Sequence, residues 1–456
     1  MGLQVDRQLL RPATTVILTE RGGTDWTRAA LAASLAVALV AAVFALLYPS
    51  LWYGEHDVSD VVIYQQHAAT MAAGRHPYRD FAFEYPPIAA WLFAAPGHSD
   101  SYAAYTTWFS FMMFLFTLAT ATAVAASAVR LWPQGLKPYL AAILFAGALA
   151  AVGAIVENRY DMAVALASSL ALFFAARRQV VLAAAVLGAG FALKLTPAVL
   201  LPVPVVLLLA PSLRRTLAAT ASFIVVAVAP FIPYLIMAPA GVWHLFTYHM
   251  ERPLQLESVL TTPFLLGQTM GLVWVDITTS YGSQGIDATG AATAATLSTW
   301  LTAAAVLAAY ALILRRRRLF LARPELLPLA FLAVVLSTIA FSKVLSPQFF
   351  IWLVPLAALV TLEEPLLGAL TYATLLLTQI NFPGKYWFLV YLEPNAIHWL
   401  AARNALLVAT FGVALWRLAR LRDADEPDGL EAVVRRPLPG RADAGAGAAA
   451  HPPVQS

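Results

Sequence analysis

Long apolar runs separated by short polar segments make up most of this chain. The first run, residues 29–48, has about 20 residues, which is enough to cross a bilayer and more than the apolar core of a signal peptide. We interpret it as an uncleaved first helix. Further runs predict spans at 103–129, 138–156, 160–176, 180–193, 196–211, 216–238, 291–314, 325–342, 346–362, 366–381 and 398–416. The pattern therefore predicts an all-α polytopic membrane protein with about twelve transmembrane helices.

Basic residues cluster on one side of these predicted spans. If the spans alternate in direction, the clusters fall on the same side as the N-terminus: Arg130 and Lys137, Arg177 and Arg178, Arg214 and Arg215, Arg315 to Arg318, and Arg417, Arg420 and Arg422. Since cytoplasmic loops carry the excess of Lys and Arg, both termini are expected in the cytoplasm. The predicted parts are a cytoplasmic segment 1–28, a transmembrane domain 29–416 and a disordered tail 417–456 rich in Ala, Gly, Pro and charge.

Composition supports the membrane assignment and excludes several kinds of site. The chain is 60% hydrophobic and 12% charged, about half the charged fraction of a soluble domain. Its mean hydropathy is +0.72. The absence of cysteine excludes disulfides, thiol nucleophiles, Fe–S clusters and thiolate zinc sites. There is no phosphate-cradling motif, which argues against an ATP-driven pump. The net charge of +4 comes from the inter-span clusters and indicates no nucleic-acid partner.

The remaining polar segments fall on the opposite, extracytoplasmic side. They are Glu55–Pro87, Glu157–Asp161, the region of Lys194, the loop 239–290, Lys343–Gln348 and Asn381–His398. A catalytic or binding cavity open to that side would collect polar segments in this way. The first of them forms a long loop, in which short juxtamembrane helices are expected. The apolar stretch 86–95 is too short to span and predicts a re-entrant or interfacial piece.

The first loop carries the strongest candidates for chemistry. Four polar residues fall at i, i+3, i+7 and i+10, on one face of a helix that Gly74 would end: Asp57, Asp60, Tyr64 and His67. A carboxylate at the membrane boundary can take a proton from a hydroxyl, so Asp60 is the candidate base and Asp57 its competitor. Tyr64 would orient a substrate. The alternative is a solvated loop in which either aspartate caps the helix.

Charged residues at the ends of later spans are further candidates. Arg159 would donate to a phosphate or a sugar and Asp161 would accept from a sugar hydroxyl, the alternative being a capped turn with a local ion pair. Lys194 lies in an apolar segment, where a lysine is costly unless it faces a cavity or a partner. It would attract an anionic headgroup, unless its side chain extends to the membrane surface.

Two more polar clusters complete the candidates. Donors and acceptors lie close together just past a membrane exit: His249, Arg252, Gln255 and Glu257. The planar guanidinium of Arg252 suits a phosphate, although a plain interfacial loop would also carry such residues. The rest of this loop, to Gly290, predicts no element. Lys343 and Gln348 fit either a cavity or a tight hairpin between two spans.

Several segments together resemble one family. They are DVVIY (Asp60–Tyr64), GRHPY (Gly74–Tyr78), EYPP (Glu84–Pro87), NRYD (Asn158–Asp161), KLTP (Lys194–Pro197), HMERPLQLES (His249–Ser258) and KVLSPQ (Lys343–Gln348). In this order they resemble glycosyltransferase family 87, multi-span mannosyltransferases of the GT-C superfamily that use polyprenyl-phosphate mannose. The resemblance covers roughly residues 29–416. It also adds Tyr78 and Glu84 to the expected substrate-binding residues.

The resemblance implies a GT-C fold and an inverting transfer on the outer face of the plasma membrane. Asp60 matches the family's general base, and no metal or cofactor is expected. Four cations are available to the leaving phosphate: Arg159, Lys194, Arg252 and Lys343. The implied partners are a polyprenyl-phosphate sugar, a cell-envelope glycolipid or glycan acceptor, and the bilayer. A pentose donor, as in arabinosyltransferases, stays open, and so do a secondary transporter, a lipid flippase and a scaffolding protein.

Overall fold

The computed structural model of the protein describes residues 21–50, 58–97, 101–209 and 212–421, with side chains absent from the description at 21–25 and 206–209. The candidate Asp57, most of segment 1–28 and nearly all of tail 417–456 lie outside the described residues. The chain divides into two units, Met1–Ala419 and Arg420–Ser456. The helices, the hairpin and the cavity lie in the first unit, and the last helix ends at its boundary.

The described part of the chain is mostly helical. Five of its helices are long and apolar enough to cross a membrane: Trp26–Leu47, Tyr102–Leu131, Leu213–Met237, Ala291–Arg315 and Pro394–Arg420. Shorter apolar helices are Lys137–Val152, Asp161–Ala176, Val180–Leu193, Thr196–Val205, Pro324–Ile339 and Pro347–Val360. This is a multi-pass membrane protein, as the hydropathy pattern predicts. Helix length alone does not establish the predicted number of twelve spans.

Further helices join these spans or follow them in the chain. They are Val61–Ala72, Pro87–Ala94, Pro239–Glu251, Thr262–Thr269, Arg317–Ala322, Pro365–Asn381 and Tyr386–Val390. Three of them begin with proline, which is tolerated at the first helical position because that N–H has no partner within the helix. The predicted end of the first-loop helix is confirmed, since Gly74 follows it with φ of +81°. The helix itself starts at Val61, so Asp60 precedes its first turn.

Small residues let the apolar helices pack closely. Helices Val180–Leu193 and Leu213–Val228 lie side by side, and a Cβ added at Gly188 would fall 2.6 Å from the carbonyl oxygen of Phe223. Close backbone approach at small residues is the usual means of association between helices in a membrane. Helix Leu327–Ile339 is buried on nearly all sides and lies in the core. The packed helices therefore supply a rigid base for the polar segments at one end.

A β-hairpin lies within the segment that the sequence interpretation left without an element. Strands Asp276–Ser280 and Ser283–Asp287 pair antiparallel, with Asp276 opposite Asp287. The two turn residues, Tyr281 and Gly282, have φ of +50° and +63°. A two-residue turn with positive φ at both positions matches the twist of the strands it joins. The Tyr-Gly pair was the available sequence signal, although tyrosine is a less usual residue there than asparagine.

Backbone contacts draw the polar segments together. Gln255 N donates to Lys343 O over 2.9 Å, and Leu256 N donates to Gln284 O over 3.0 Å. These bonds join the long loop to the hairpin and to the segment before helix Pro347–Val360. The loop also reaches the first loop, because Gly241 packs directly on the backbone of Tyr78. Segments far apart in sequence thus surround one space.

Candidate active site

A cavity of about 680 Å³ lies where these segments meet. Ten of the candidates chosen from the sequence line it: Asp60, Glu84, Arg159, Lys194, His249, Arg252, Gln255, Glu257, Lys343 and Gln348. They come from the first loop, the ENRYD turn, the end of helix Val180–Leu193, the long loop and the KVLSPQ segment. The cavity is of the size that sites for small ligands have. The structure therefore brings these residues together in a single site.

Other candidates lie behind the cavity wall. Tyr64 is fully buried and stacks on Phe93 with ring centroids 4.2 Å apart. Tyr78 donates its hydroxyl hydrogen to the carbonyl of Tyr85. His67 Nε2 is 3.9 Å from a carboxylate oxygen of Glu84, and burial lowers the pKa of His67 to about 4. These side chains support the first loop rather than line the cavity.

Asp60 presents its carboxylate to the cavity. It occupies the N-cap position of helix Val61–Ala72, but its side chain makes no capping hydrogen bond. Instead, Oδ2 lies 3.1 Å from Nε of Arg159, and the side chain is 29% exposed. Since a carboxylate has two oxygens that accept hydrogen bonds, this pairing leaves acceptor capacity for a ligand.

Arg159 is held on several sides and fixes Asp60 in turn. Its Nη1 donates to the backbone and side-chain oxygens of Asn158, each over 3.0 Å. Its Nη2 donates to Val58 O over 3.2 Å, and the guanidinium lies 5.6 Å from the ring centroid of Phe382. With a side chain only 6% exposed, Arg159 orients the Asp60 carboxylate more than it offers donors to a substrate.

Lys194 and Asp161 form a second ion pair. Lys194 Nζ is 2.6 Å from Oδ1 of Asp161, and Trp352 donates its indole N–H to the same oxygen over 2.8 Å. The ammonium also lies 4.7 to 5.3 Å from the ring centroids of Tyr160, Phe349 and Trp352. Asp161 is fully buried and does not line the cavity. Lys194 reaches the cavity wall, with its charge balanced by this carboxylate.

Of the four Arg and Lys residues that line the cavity, Arg252 and Lys343 have no carboxylate partner among the salt bridges of the described residues, whereas Arg159 and Lys194 do. Arg252 Nη2 donates to Ser283 Oγ over 2.8 Å, while its buried Nε has no hydrogen-bond partner. Burial lowers the pKa of Arg252. Burial and the Arg252 charge lower the pKa of Lys343, whose Nζ donates to Met250 O. A buried guanidinium and a half-buried ammonium in one cavity favour an anionic ligand such as a phosphate.

Glu84 and His249 connect the first loop with the long loop. His249 Nε2 lies 3.1 Å from the carbonyl oxygen of Glu84. Because a carbonyl only accepts, Nε2 carries the proton. Burial, with the nearby Arg252 charge, lowers the pKa of His249 to about 4, so the ring is neutral at pH 7. Burial raises the pKa of the Glu84 carboxyl.

Acceptor oxygens without partners mark another part of the wall. The side-chain carbonyls of Gln255 and Gln348 are buried and make no hydrogen bond in the described structure. Glu257 lies 3.9 Å from Arg403 through their charged groups, and burial raises the pKa of Glu257 to about 7. Such unpaired acceptors are costly unless a ligand or water satisfies them. They suit the hydroxyl groups of a sugar.

Sequence reasoning missed Arg403 and the aromatic side chains of the wall. Arg403 is fully buried in helix Pro394–Arg420, and a charged residue inside an apolar span was a usable signal. The aromatic lining residues are Tyr85, Tyr160, Tyr248, Tyr281, Phe349, Trp352, Phe382, Tyr386 and Trp387. Aromatic residues are common in membrane proteins, and no spacing pattern separated these from lipid-facing ones.

In the part of the chain that the structure describes, no group of three or more His, Asp and Glu side chains is arranged to hold a metal ion. A model of glycosyltransferase family 87 matches residues 83–347, more than half of the chain. The match includes most of the cavity lining, from Glu84 to Pro347. The lining residues outside it fall in three stretches, Val58–Ile63, Gln348–Trp352 and Phe382–Trp387. A search of curated proteins found no match.

Proposed function

This chain belongs to glycosyltransferase family 87. We propose that it transfers mannose from a polyprenyl-phosphate donor to a glycolipid or glycan of the cell envelope. The supporting observation is one cavity that combines an accessible carboxylate with two cations that lack a carboxylate partner among the salt bridges of the described residues. Asp60 is the carboxylate, and Arg252 and Lys343 are the cations. A base and an anion site in one cavity are what transfer from a sugar phosphate requires.

The proposed reaction is a single displacement with inversion. Asp60 accepts the proton of the acceptor hydroxyl as that oxygen bonds to the anomeric carbon. The bond between the anomeric carbon and the phosphate oxygen breaks, and its electron pair leaves with the lipid phosphate. Arg252 and Lys343 stabilise the charge that builds on this phosphate, so no acid is needed at the leaving group. Arg159 holds the base in place.

The other polar residues have supporting roles in this proposal. Gln255 and Gln348 accept hydrogen bonds from sugar hydroxyls through their unpaired carbonyl oxygens. Glu257 does the same through its carboxylate. Lys194 adds positive potential near the phosphate but is held by Asp161. Glu84 and His249 keep the two loops in register around the substrates.

We propose further that the cavity faces the outside of the plasma membrane, with twelve spans and both termini in the cytoplasm. Helix ends support this orientation. Helix Asp161–Ala176 starts at the cavity and ends next to Arg177, and helix Val180–Leu193 returns from there to Lys194. Ala291–Arg315 likewise runs from the hairpin to an arginine cluster. Basic clusters mark the cytoplasmic side.

The test uses the full-length protein in nanodiscs with radiolabelled polyprenyl-phosphate mannose and a membrane-lipid extract. Wild type is expected to move label into a new glycolipid. Asp60→Asn should lower the rate by about 10²- to 10⁴-fold, the usual effect of losing a general base. Binding of the labelled donor should persist in this variant. Asp287→Asn changes an exposed residue at the end of the hairpin that does not line the cavity; it is the matched control and should keep wild-type activity.

Other results would revise the proposal. If Asp57→Asn is inactive and Asp60→Asn is active, the base is Asp57. If wild type transfers a pentose but not mannose, the donor assignment changes and the reaction class stays. If no lipid-linked sugar is transferred, the glycosyltransferase proposal fails. A lipid-flipping assay in vesicles would then test the transporter alternative.

A further inference from the structure

Three aromatic residues that line the cavity lie C-terminal to the residues that match the family model. They are Phe382, Tyr386 and Trp387, and we call them the aromatic wall. The Phe382 and Tyr386 rings meet edge to face with centroids 5.2 Å apart, and those of Tyr386 and Trp387 are 5.4 Å apart. Trp387 is nevertheless 43% exposed. Part of this large ring is therefore uncovered at the edge of the cavity.

A carboxylate stands close to this aromatic wall. Glu257 lines the same cavity. Arg159, which lies 3.1 Å from the Asp60 carboxylate, has its guanidinium 5.6 Å from the ring centroid of Phe382. The aromatic wall therefore lies next to the ion pair that holds the proposed base.

Arg403 fixes Glu257 from behind. Its Nη2 donates to Glu257 O over 3.0 Å and lies 3.9 Å from Oε1 of the same residue. The neighbouring Asn404 donates to Glu257 O and to Ser258 O. Arg403 is fully buried, and its guanidinium lies 4.9 Å from the ring centroid of Phe350. Glu257 is thus presented to the cavity by a fixed support in the last described helix.

We propose that the aromatic wall and Glu257 form the subsite for the acceptor's sugar ring, an inference that rests on the proposed function. A pyranose ring has an apolar face of C–H groups and a rim of hydroxyls. The exposed Trp387 ring packs against the apolar face, as aromatic side chains do in polar ligand sites. Glu257 accepts hydrogen bonds from rim hydroxyls. This placement turns the reacting hydroxyl toward Asp60 while the donor phosphate lies against Arg252 and Lys343.

Transfer kinetics separate this subsite from donor binding. Trp387→Ala should raise the KM for the acceptor about tenfold, or about 1.4 kcal/mol, with donor KM unchanged. Trp387→Phe should recover most of the affinity because it keeps an aromatic face. The matched control is Trp399→Ala, since Trp399 is similarly exposed (38%) but lies outside the cavity lining. A change in donor KM alone, or equal effects of the 387 and 399 alanine variants, would overturn the proposal.

A binding measurement makes the result independent of turnover. Saturation-transfer NMR with methyl α-mannopyranoside and the protein in nanodiscs should show contact from the C–H face of the sugar. The signal should vanish in Trp387→Ala and persist in Trp399→Ala. If wild type transfers no sugar, the proposed function fails, yet this contrast still supports a carbohydrate subsite. Persistence of the signal in Trp387→Ala would reject the subsite even if transfer is observed.

Discussion

Arg159 and Asp161 are two residues apart in the chain and belong to ion pairs of opposite character. Arg159 pairs with Asp60, whose carboxylate is 29% exposed at the cavity. Asp161 pairs with Lys194, and the aspartate is fully buried and accepts a hydrogen bond from the Trp352 indole. The same turn thus supplies one partner to the carboxylate that we propose as the base and another to a buried carboxylate away from the cavity lining. Both aspartates are paired with a cation, so what distinguishes them is that the Asp60 carboxylate is accessible from the cavity and the Asp161 carboxylate is not.

The largest expected effect comes from breaking the buried pair. Asp161→Asn leaves the Lys194 ammonium without a counter-charge, which should lower the free energy of unfolding by about 3–5 kcal/mol. Asp60→Asn should cost about 1 kcal/mol or less because its pair is partly solvated. Thermal unfolding in detergent, followed by circular dichroism, measures both variants. Similar losses would show that the two pairs are equivalent.

A double substitution controls for the size and polarity of the change. Asp161→Asn with Lys194→Met removes both charges and should recover much of the lost stability, because neither group is then left buried and unpaired. Lys194→Met alone should remain destabilising. No recovery in the double variant would mean that contacts other than the ion pair hold this region.

A smaller effect is expected on donor binding when Arg252, which lines the cavity, is compared with Arg79, which pairs with Asp80 on the surface. Arg252→Ala should raise the donor KM by about tenfold to a hundredfold, since hydrogen bonds to charged groups contribute about 1.5–3 kcal/mol. Arg79→Ala, an exposed arginine of the first loop outside the cavity lining, should have no effect. Initial rates at varied donor concentration measure both. An unchanged KM in Arg252→Ala would remove it from the phosphate site.

The smallest expected effect is a pH dependence of acceptor binding that comes from Glu257. This residue is buried and pairs with Arg403, and it lines the cavity. Burial raises the pKa of Glu257 to about 7, so lowering the pH from 8 to 6 protonates it. A neutral carboxyl accepts weaker hydrogen bonds than a carboxylate, so the acceptor KM should rise about threefold toward pH 6. His67 and His249, with pKa values of about 4, keep their neutral state in this range.

Glu257→Gln should abolish this pH dependence and keep a raised acceptor KM at both pH values. His249→Gln should leave the dependence as it is in wild type. A wild-type acceptor KM that does not change between pH 6 and 8, measured with donor at saturation, would contradict the assignment.

The hydropathy pattern predicted most helices because each depends on a continuous apolar run. Tyr102–Leu131 and Ala291–Arg315 lie within two residues of the predicted spans 103–129 and 291–314. The pattern also predicted that the polar segments lie together at one end of the helices, because that result requires only that successive spans alternate in direction. Pairing between segments could not be read in this way. Asp60 and Arg159 are 99 residues apart, and nothing in either local sequence selects the other.

The sequence predicted which segments meet at the candidate site better than it predicted which of their side chains reach the cavity. Helical spacing placed Tyr64 and Asp60 together, but Asp60 precedes the helix and Tyr64 points into the aromatic packing around Phe93. Asp161 was expected at the site wall, whereas Trp352, from a helix nearly 200 residues later, covers it. Whether an individual side chain is buried depends on packing between helices that are distant in the chain, and the hydrophobic periodicity of one segment carries no information about that packing.

The cavity is completed late in synthesis, because its lining residues are spread along the chain from Val58 to Trp387. A Cβ at this position would lie 1.9 Å from the carbonyl oxygen of Tyr78, so the two loops fit only against each other. Tyr78 leaves the ribosome about 160 residues before Gly241, which is about 8 to 30 seconds at usual rates. The lining residues Arg252, Lys343 and Trp387 follow Gly241 in the chain and are made later still. A chain that stops before residue 241 therefore contains Asp60, the proposed base, without most of the residues that line the cavity.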